Sequence, residues 1–328
     1  MKKPDIYITR KIPASILEPF RDRFHFKMWE QELTPVPDDV LKAETKQADG
    51  LLCLITDQIR EQLFAESPQL QIVANMAVGY DHIDIQAATK HQVIVTNTPD
   101  VLTETTADLT FALLMATARR LVEANNFIRD DKWGDWAPFL LTGSDIHHQT
   151  IGIVGMGAIG QAVARRAKGF GMSILYHNRT RQEQAEQELG AQYMGFNDLL
   201  EQADFVISLV PLTDETTQMF NEAAFKRMKS SAIFINVSRG QTVDEDALYE
   251  ALRTKEIKAA GLDVFKEEPI RANHPLVQLE QVVCLPHIGS ASEQTRVNML
   301  RLCLENLEGF FYGDGAKTPV NEFHNSYL

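Results

Sequence analysis

Residues 150–160 read TIGIVGMGAIG: a strand-like run passes straight into Gly155, Gly157 and Gly160, and the stretch Gln161 to Lys168 follows as a helix. The spacing is G-x-G-x-x-G between a strand and a helix. In that setting the first glycine makes the tight turn, the second lets backbone approach a pyrophosphate, and the third lets helix and strand pack closely. Ala158 and Ile159 complete the motif as further cofactor-binding candidates, and the N-terminus of the helix supplies amide groups and partial positive charge to phosphate oxygens. The stretch predicts a dinucleotide-binding βαβ unit around which the rest of the chain can be placed.

Downstream, strand-length runs recur: SILYH at 173–177, FVISLVP at 205–211, AIFINV at 232–237, AAGLDVF at 259–265 and VVCLPH at 282–287. They are nearly all apolar, as strands covered on both faces must be. An earlier series, Ile6 to Thr9, Leu51 to Thr56, Ile72 to Met76 and Val93 to Thr96, alternates with helical stretches and predicts a second parallel sheet with crossover helices. Between the two series, Thr103 to Arg129 reads as one long linking helix with Asp100 and Thr103 as cap candidates. After His287, Leu300, Leu304, Leu307 and Phe311 recur at helical spacing, and that last helix is expected to pack back on the first domain. The chain should then cross twice, near Pro99 and near Ser290. This gives a discontinuous substrate domain of 1–99 with 290–328 and a dinucleotide domain of 100–289, with ligands in the cleft between them. The tract QEQAEQELG at 182–190 reads as a solvated helix face.

At 328 residues and 44% hydrophobic the chain can bury one or two full cores, with length favouring two domains over one large one, which removes disordered and disulfide-scaffold classes. The formal charge of −13 opposes long-range attraction to nucleic acid or anionic lipid, so an anionic ligand must be met by local positive charge. The start, MKKPDIYITRKIP, is interrupted by Pro4, Asp5, Arg10 and Lys11 and does not read as a signal peptide. The longest apolar run, Leu109 to Ala118, is about half of what a bilayer span needs. Cys53, Cys284 and Cys303 lack metal or redox spacing and are expected to be free, buried thiols in a reducing cytoplasm. His147 and His148 are adjacent and share no chelating face, so no metal is assigned.

Where NAD-selective sites place a carboxylate, after the strand at 173–177, this chain has Asn178, Arg179, Thr180 and Arg181. Two guanidinium groups and a hydroxyl suit a 2′-phosphate, so NADP(H) is expected to be preferred, with NAD(H) as the lesser cofactor. The plainer reading has both arginines simply opening a surface helix. Three segments at later strand ends, INVSRG at 235–240, LDVFKEEP at 262–269 and LPHIGS at 285–290, bring the groups that reduction of a 2-oxo acid requires. Arg239 supplies a cation for carboxylate and carbonyl, His287 a proton donor, and Glu268 a carboxylate to hold the imidazole. Taken singly, each also reads as a loop ion pair, a surface acid or a satisfied histidine.

With G-x-G-x-x-G, the N-x-S-R-G arginine, the D-V-F-x-x-E-P glutamate and the P-H-I-G histidine in this order, the chain resembles the D-isomer-specific 2-hydroxyacid dehydrogenases over essentially its whole length. Within them it is most similar to glyoxylate/hydroxypyruvate reductases, including bacterial 2-ketogluconate reductases, through NTPDVLTETTAD at 97–108, GDWAP at 134–138 and NHPL at 273–276. The resemblance implies an α/β protein of two doubly wound parallel-sheet domains, a Rossmann cofactor domain and a flavodoxin-like substrate domain. It implies that Arg239 binds the substrate carboxylate and polarises the keto group, that His287 gives the proton, and that Glu268 holds His287 in its charged form. Backbone amides of Val78 and Gly79 would hold the carboxylate, with Ser290 and Trp136 beside the substrate. Asp263 would accept from the nicotinamide carboxamide. Thr106, Val237, Ser238 and Gly289 would stand along the cofactor, and Pro211 and Thr216 on its adenosine side. Trp133 and Trp136, in DDKWGDWAPFLLTGSD, correspond to a dimer arm, so a cytoplasmic homodimer is expected. The implied reaction is NADPH-dependent reduction of glyoxylate to glycolate and hydroxypyruvate to D-glycerate, with 2-ketogluconate as a further substrate and neither nucleic acid nor membrane as partner. Two alternatives stay open: a D-2-hydroxyacid dehydrogenase with a bulkier substrate, and a dinucleotide-sensing, corepressor-like protein, against which the intact Arg, Glu and His set argues.

Overall fold

The structure is a computed structural model that describes residues 2–320. The chain divides into two compact units, Met1–Leu102 with Ser292–Leu328 and Thr103–Ala291. Each is a parallel sheet with helices, as the alternating apolar and amphipathic stretches predict.

In the first unit the strands are β1 (Asp5–Ile8), β2 (His25–Met28), β3 (Gly50–Cys53), β4 (Ile72–Asn75) and β5 (Ile94–Thr96), in the order β2-β1-β3-β4-β5. All are parallel, with Ile6 opposite Gly50 and Leu52 opposite Ala74 in register. This is the flavodoxin-like doubly wound order. Strand β2 lies outside the apolar series because it is an edge strand, HFKM, whose residues alternate between exposed and half-buried. The helix Glu293–Tyr312 packs against β4 through a stripe that includes Met299, Leu300, Cys303, Leu304 and Leu307, all buried, and Phe311 meets Phe24 edge-on at 6.0 Å. Beyond it, Pro319 bridges antiparallel to Thr96 on β5.

The second unit holds β6 (Thr150–Val154), β7 (Ser173–His177), β8 (Gln192–Tyr193), β9 (Phe205–Ser208), β10 (Ile233–Asn236), β11 (Ala259–Leu262) and β12 (Val282–Cys284). Their order is β12-β11-β10-β9-β6-β7-β8, all parallel, so the chain reverses direction across the sheet between β6 and β9. That is the Rossmann order, and ligands of such sheets bind beyond the strand ends at the reversal. Alternate residues feed two cores: Ile151, Ile153 and Ile235 face one layer of helices, and Val154, Val206 and Phe234 the other.

The long linking helix is in fact two, Thr103–Ala118 and Leu121–Arg129, separated by Arg120 at φ +54°. The first is the packed one, with Phe111, Leu113 and Leu114 buried, whereas the second has no buried residue and leaves Leu121, Val122 and Ile128 exposed. The break has a nonlocal cause. The carbonyl of Ala118 accepts from the amide of Ser144 at 2.8 Å, and Gly143 passes so close that a Cβ there would lie 2.2 Å from the same oxygen. The helix after the glycine motif spans Ala158–Gly169, beginning before Gln161. Cys53 and Cys303 are free and buried, but Cys284 is only half-buried, and burial raises its thiol to about 11. No helix among the described residues is long and apolar enough to cross a membrane.

Candidate active site

The glycine turn is built as its spacing requires. Gly155 sits at φ +106°, a conformation that side chains disfavour, and its amide donates to the carbonyl of His177 at 2.9 Å, tying the turn to the end of β7. A Cβ at Gly160 would lie 2.2 Å from the Gly155 carbonyl oxygen, whereas one at Gly157 would meet nothing within 4 Å. The helix Ala158–Gly169 therefore begins beside open space, with no side-chain cap on its first amides. Its opening turn, Ala158 and Ile159 included, has the chemistry to receive phosphate oxygens.

Beyond the ends of β10, β11 and β12 a second group converges. A Cβ at Gly289 would lie 3.3 Å from Oδ2 of Asp263, 3.5 Å from Cγ2 of Thr106 and 3.6 Å from Cγ1 of Val237. Asp263 is 1% exposed; its Oδ1 accepts from the amide of Ile288 at 2.8 Å, while Oδ2 is buried with no hydrogen-bond partner among the described residues. Burial pushes this carboxyl above its ordinary value, against the opposing pull of the Ile288 amide, of His287 and of the Gly289 amide. A buried acceptor without a donor is costly, and an amide NH₂ such as the carboxamide of a nicotinamide would satisfy it. The open helix start and the orphaned oxygen together show that these residues fit a nicotinamide dinucleotide.

After β9, Thr216 donates to the carbonyl of Pro211 at 2.6 Å, which brings those two residues together. Ser238 is fixed by Asn236, whose Oδ1 accepts from the Ser238 amide at 3.1 Å and hydroxyl at 2.9 Å. Asn178 donates to the carbonyl of Thr180 at 2.8 Å. The two arginines beside them differ. Arg181 is clamped bidentately by Glu186, with Nε and Nη2 each 2.7 Å from a carboxylate oxygen, and Tyr176 donates to the same carboxylate. Arg179 is exposed and hydrogen-bonds to no described residue. The expectation of two available guanidinium groups thus reduces to one.

His287 follows β12 at φ +54°, a strained conformation for a residue with a side chain, held by its amide's bond to the carbonyl of Asp263 at 2.9 Å. Its Nδ1 lies 2.8 Å from Oε2 of Glu268, and Oε1 of Glu268 accepts from the amide of Phe265 at 3.0 Å. Burial pushes the Glu268 carboxyl up, but the bond and charge of His287, the Phe265 amide and the charge of Arg239 outweigh it and hold it below the ordinary value. A carboxylate at Nδ1 can only accept, so Nδ1 carries a proton and Nε2 is left for other chemistry. Both side chains remain reachable, at 26% and 33% exposed.

Arg239 is set by its backbone, whose carbonyl accepts from Asn236 Nδ2 at 3.0 Å and from Thr242 Oγ1 at 2.7 Å. Gly240 lets this loop lie directly on the Glu268 loop: a Cβ there would lie 1.8 Å from the Phe265 carbonyl carbon. The structure thus brings Arg239, Glu268, His287, Asp263 and Gly289 into one cluster at the strand ends. Ser290 follows in the same loop, half-buried. Trp136 stands apart, 76% exposed on a segment where Trp133 and Phe139 are exposed as well.

In the first unit, the carbonyl of Val78 accepts from Asn97 Nδ2 at 2.9 Å and that of Gly79 from Asn75 Nδ2 at 3.0 Å. The amides of Val78 and Gly79 are engaged by no described residue. Sequence reasoning passed over these two asparagines and Asn236 as supports. Asn75 and Asn236 carried a signal, since each is a polar residue closing an otherwise apolar strand.

Residues 111–289 match the family model described as D-isomer specific 2-hydroxyacid dehydrogenase, NAD binding domain. A protein of Korarchaeum cryptofilum named glyoxylate reductase is 49% identical over 321 residues, covering 98% of this chain and 96% of its own. Among solved structures, a Thermus thermophilus protein superposes with a TM-score of 0.90 at 40% identity, covering 96% of this chain and 99% of its own. The NADPH-dependent glyoxylate/hydroxypyruvate reductase of Sinorhizobium meliloti, solved with NADP and malonate, superposes with a TM-score of 0.86 at 36% identity, covering 98% of each chain.

Proposed function

Since the chain belongs to the D-isomer-specific 2-hydroxyacid dehydrogenases, oxidoreductases that bind a nicotinamide dinucleotide, we propose that it reduces glyoxylate to glycolate, prefers NADPH, and also accepts hydroxypyruvate and 2-ketogluconate. The observation that carries the chemistry is the 2.8 Å bond from His287 Nδ1 to Glu268. It orients the imidazole with its Nδ1–H on the carboxylate, so Nε2 can protonate the carbonyl oxygen as that oxygen gains negative charge. Arg239 binds the carboxylate and polarises the carbonyl, a task for which a fixed guanidinium is suited. The amides of Val78 and Gly79 receive the carboxylate from the first unit, the substrate domain in this reading. Ser290 borders the substrate, and Trp136, on the exposed arm, caps the active site of the neighbouring copy in a dimer. The reduced nicotinamide, when bound, supplies the hydride. Asp263, Thr106, Val237, Ser238 and Gly289 hold the nicotinamide end, and Pro211 with Thr216 the adenosine side.

Preference for NADPH rests on Asn178, Arg179 and Thr180, with no carboxylate among residues 178–181. The name of the Sinorhizobium relative supports it, and the names of the relatives that resemble the whole chain support glyoxylate as substrate. The test follows oxidation of NADPH and of NADH with glyoxylate, hydroxypyruvate, pyruvate and 2-ketogluconate, for wild type, Arg179→Ala and His287→Ala. Wild type should favour NADPH and glyoxylate, Arg179→Ala should narrow the cofactor preference, and His287→Ala should lose about 10²–10⁴-fold in turnover. Binding of cofactor without turnover of any acid would instead indicate a sensor.

The exposed aromatic segment supports a homodimer. Exposed apolar groups at this density mark a surface that another chain covers. Sedimentation should give twice the chain mass of 37.0 kDa, and Trp133→Ser with Phe139→Ser should shift it toward the single chain. A wild type that sediments as one chain would reject the dimer.

A further inference from the structure

In the loop that follows β4 the carbonyls of Ala77, Val78 and Gly79 are tied back, while the amides of Val78 and Gly79 are engaged by no described residue. Ala77 O accepts from the Thr98 amide at 2.8 Å, Val78 O from Asn97 and Gly79 O from Asn75. Asn75 is fully buried, and its Oδ1 meets Nε2 of buried His82 at 3.1 Å. Because the Gly79 carbonyl can only accept, Asn75 turns its NH₂ there and its oxygen to His82, whose Nε2 must then carry the proton. Backbone with its acceptors consumed and its donors free is a receptor for an anion.

Asn97, the residue that holds the Val78 carbonyl, is itself held from the far end of the chain. Its amide donates to Thr318 O at 3.2 Å and its carbonyl accepts from Thr318 Oγ1 at 2.7 Å. Thr318 is anchored in turn by Asn306, fully buried in the helix Glu293–Tyr312, which accepts from the Thr318 amide at 2.8 Å and donates to Thr318 Oγ1 at 2.8 Å. Asn306 also donates to the Leu302 carbonyl at 2.9 Å, which fixes its amide plane to the helix. The Val320 amide completes the seam on β5, donating to Val95 O at 3.0 Å.

We propose that Asn306, Thr318 and Asn97 form a positioning chain through which the docked C-terminal segment sets the orientation of the Val78 and Gly79 amides, and so the affinity for the oxo acid's carboxylate. The inference rests on the reading above that these amides receive that carboxylate. None of the three residues touches substrate. They act on binding by restraining the peptide planes of the loop, as amide donors misdirected by small rotations lose their bonds steeply. The second unit, which carries the dinucleotide turn, contains none of them.

The experiment compares Thr318→Val, which deletes the hydroxyl at nearly constant volume, with Thr318→Ser, which retains it, and with Asn97→Ala. For each, KM and kcat are measured with glyoxylate and Kd for NADPH by fluorescence titration. Thr318→Val and Asn97→Ala should raise the glyoxylate KM about tenfold, the scale of one hydrogen bond, with kcat and the NADPH Kd within about twofold of wild type. Thr318→Ser should restore KM. An unchanged KM in Thr318→Val, or a KM that moves together with the NADPH Kd, would overturn the chain, and Thr318→Val decides alone if Asn97→Ala does not fold. Wild type is also assayed with uncharged glyoxylamide, as substrate or competitive inhibitor. Equal affinity for glyoxylate and its amide would show that the carboxylate reading itself has failed. Discrimination by wild type with no effect of Thr318→Val would leave that reading standing and sink only the positioning chain.

Discussion

Asp263 holds an acceptor, Oδ2, that the other described residues leave unused. Burial raises this carboxyl above its ordinary 3.8, so the folded protein binds its proton more tightly than the unfolded chain does. The charge is consequently a cost to folding at neutral pH, and Asp263→Asn should leave the cofactor-free protein as stable or more so. The same change should weaken NADPH binding. An amide that keeps its oxygen toward the Ile288 N–H turns its NH₂ toward the position of Oδ2, where it would meet the carboxamide NH₂ donor to donor. Losing a hydrogen bond to a charged acceptor is worth about 1.5–3 kcal/mol, or about 10–150-fold in Kd. A thermal melt and a fluorescence titration read the two effects separately. Unaltered affinity would mean that Oδ2 is not the acceptor for the nicotinamide end.

Among the elements, what could be read from sequence was whatever local pattern determines. Strands covered on both faces, such as FVIS and IFIN, announce themselves as apolar runs, and the two doubly wound sheets follow from them. Two of the edge strands, β2 and β8, do not. HFKM is half-exposed along its length, and Gln192–Tyr193 is a two-residue strand with both residues exposed. The break at Arg120 was hidden for another reason: the group that ends the preceding helix is the amide of Ser144, more than twenty residues on, so no periodicity within 103–129 could show it. The site divides in the same way. Arg239, Glu268 and His287 are visible as motifs in order, but the contact between their loops depends on Gly240 meeting Phe265, which spacing does not reveal. Arg181 looks like a phosphate ligand until Glu186, on the helix that follows, is found to hold it. Among the described residues, the side chains of the asparagines behind the Val78 loop bond to carbonyls and to one histidine, and backbone partners leave no trace in residue type.

At the scale of the whole molecule, the carboxylates determine how the fold meets acid. Glu61, Glu104, Glu186, Glu215, Glu250 and Glu268 are all held below the ordinary 4.5, Glu186 at about 2 by Arg181 and Tyr176. A carboxyl whose folded value is depressed adds stability that is fully present above its unfolded value and is lost as pH falls through the folded one. Buried Asp57 and Asp263 are raised and act in the opposite sense, their cost relieved as protons bind. Most of the six lowered groups are exposed, where ion pairs are individually weak and screened by salt. Their number decides the direction, and a second effect reinforces it. Protonation cancels the 45 acidic charges and leaves 32 Lys and Arg and 9 His unopposed, so self-repulsion grows. The urea midpoint should therefore stay level from pH 7 to about 5 and fall continuously below about 4.5, more gently in high salt. A midpoint that rises between pH 5 and 3 would show that the two buried aspartates outweigh the surface pairs.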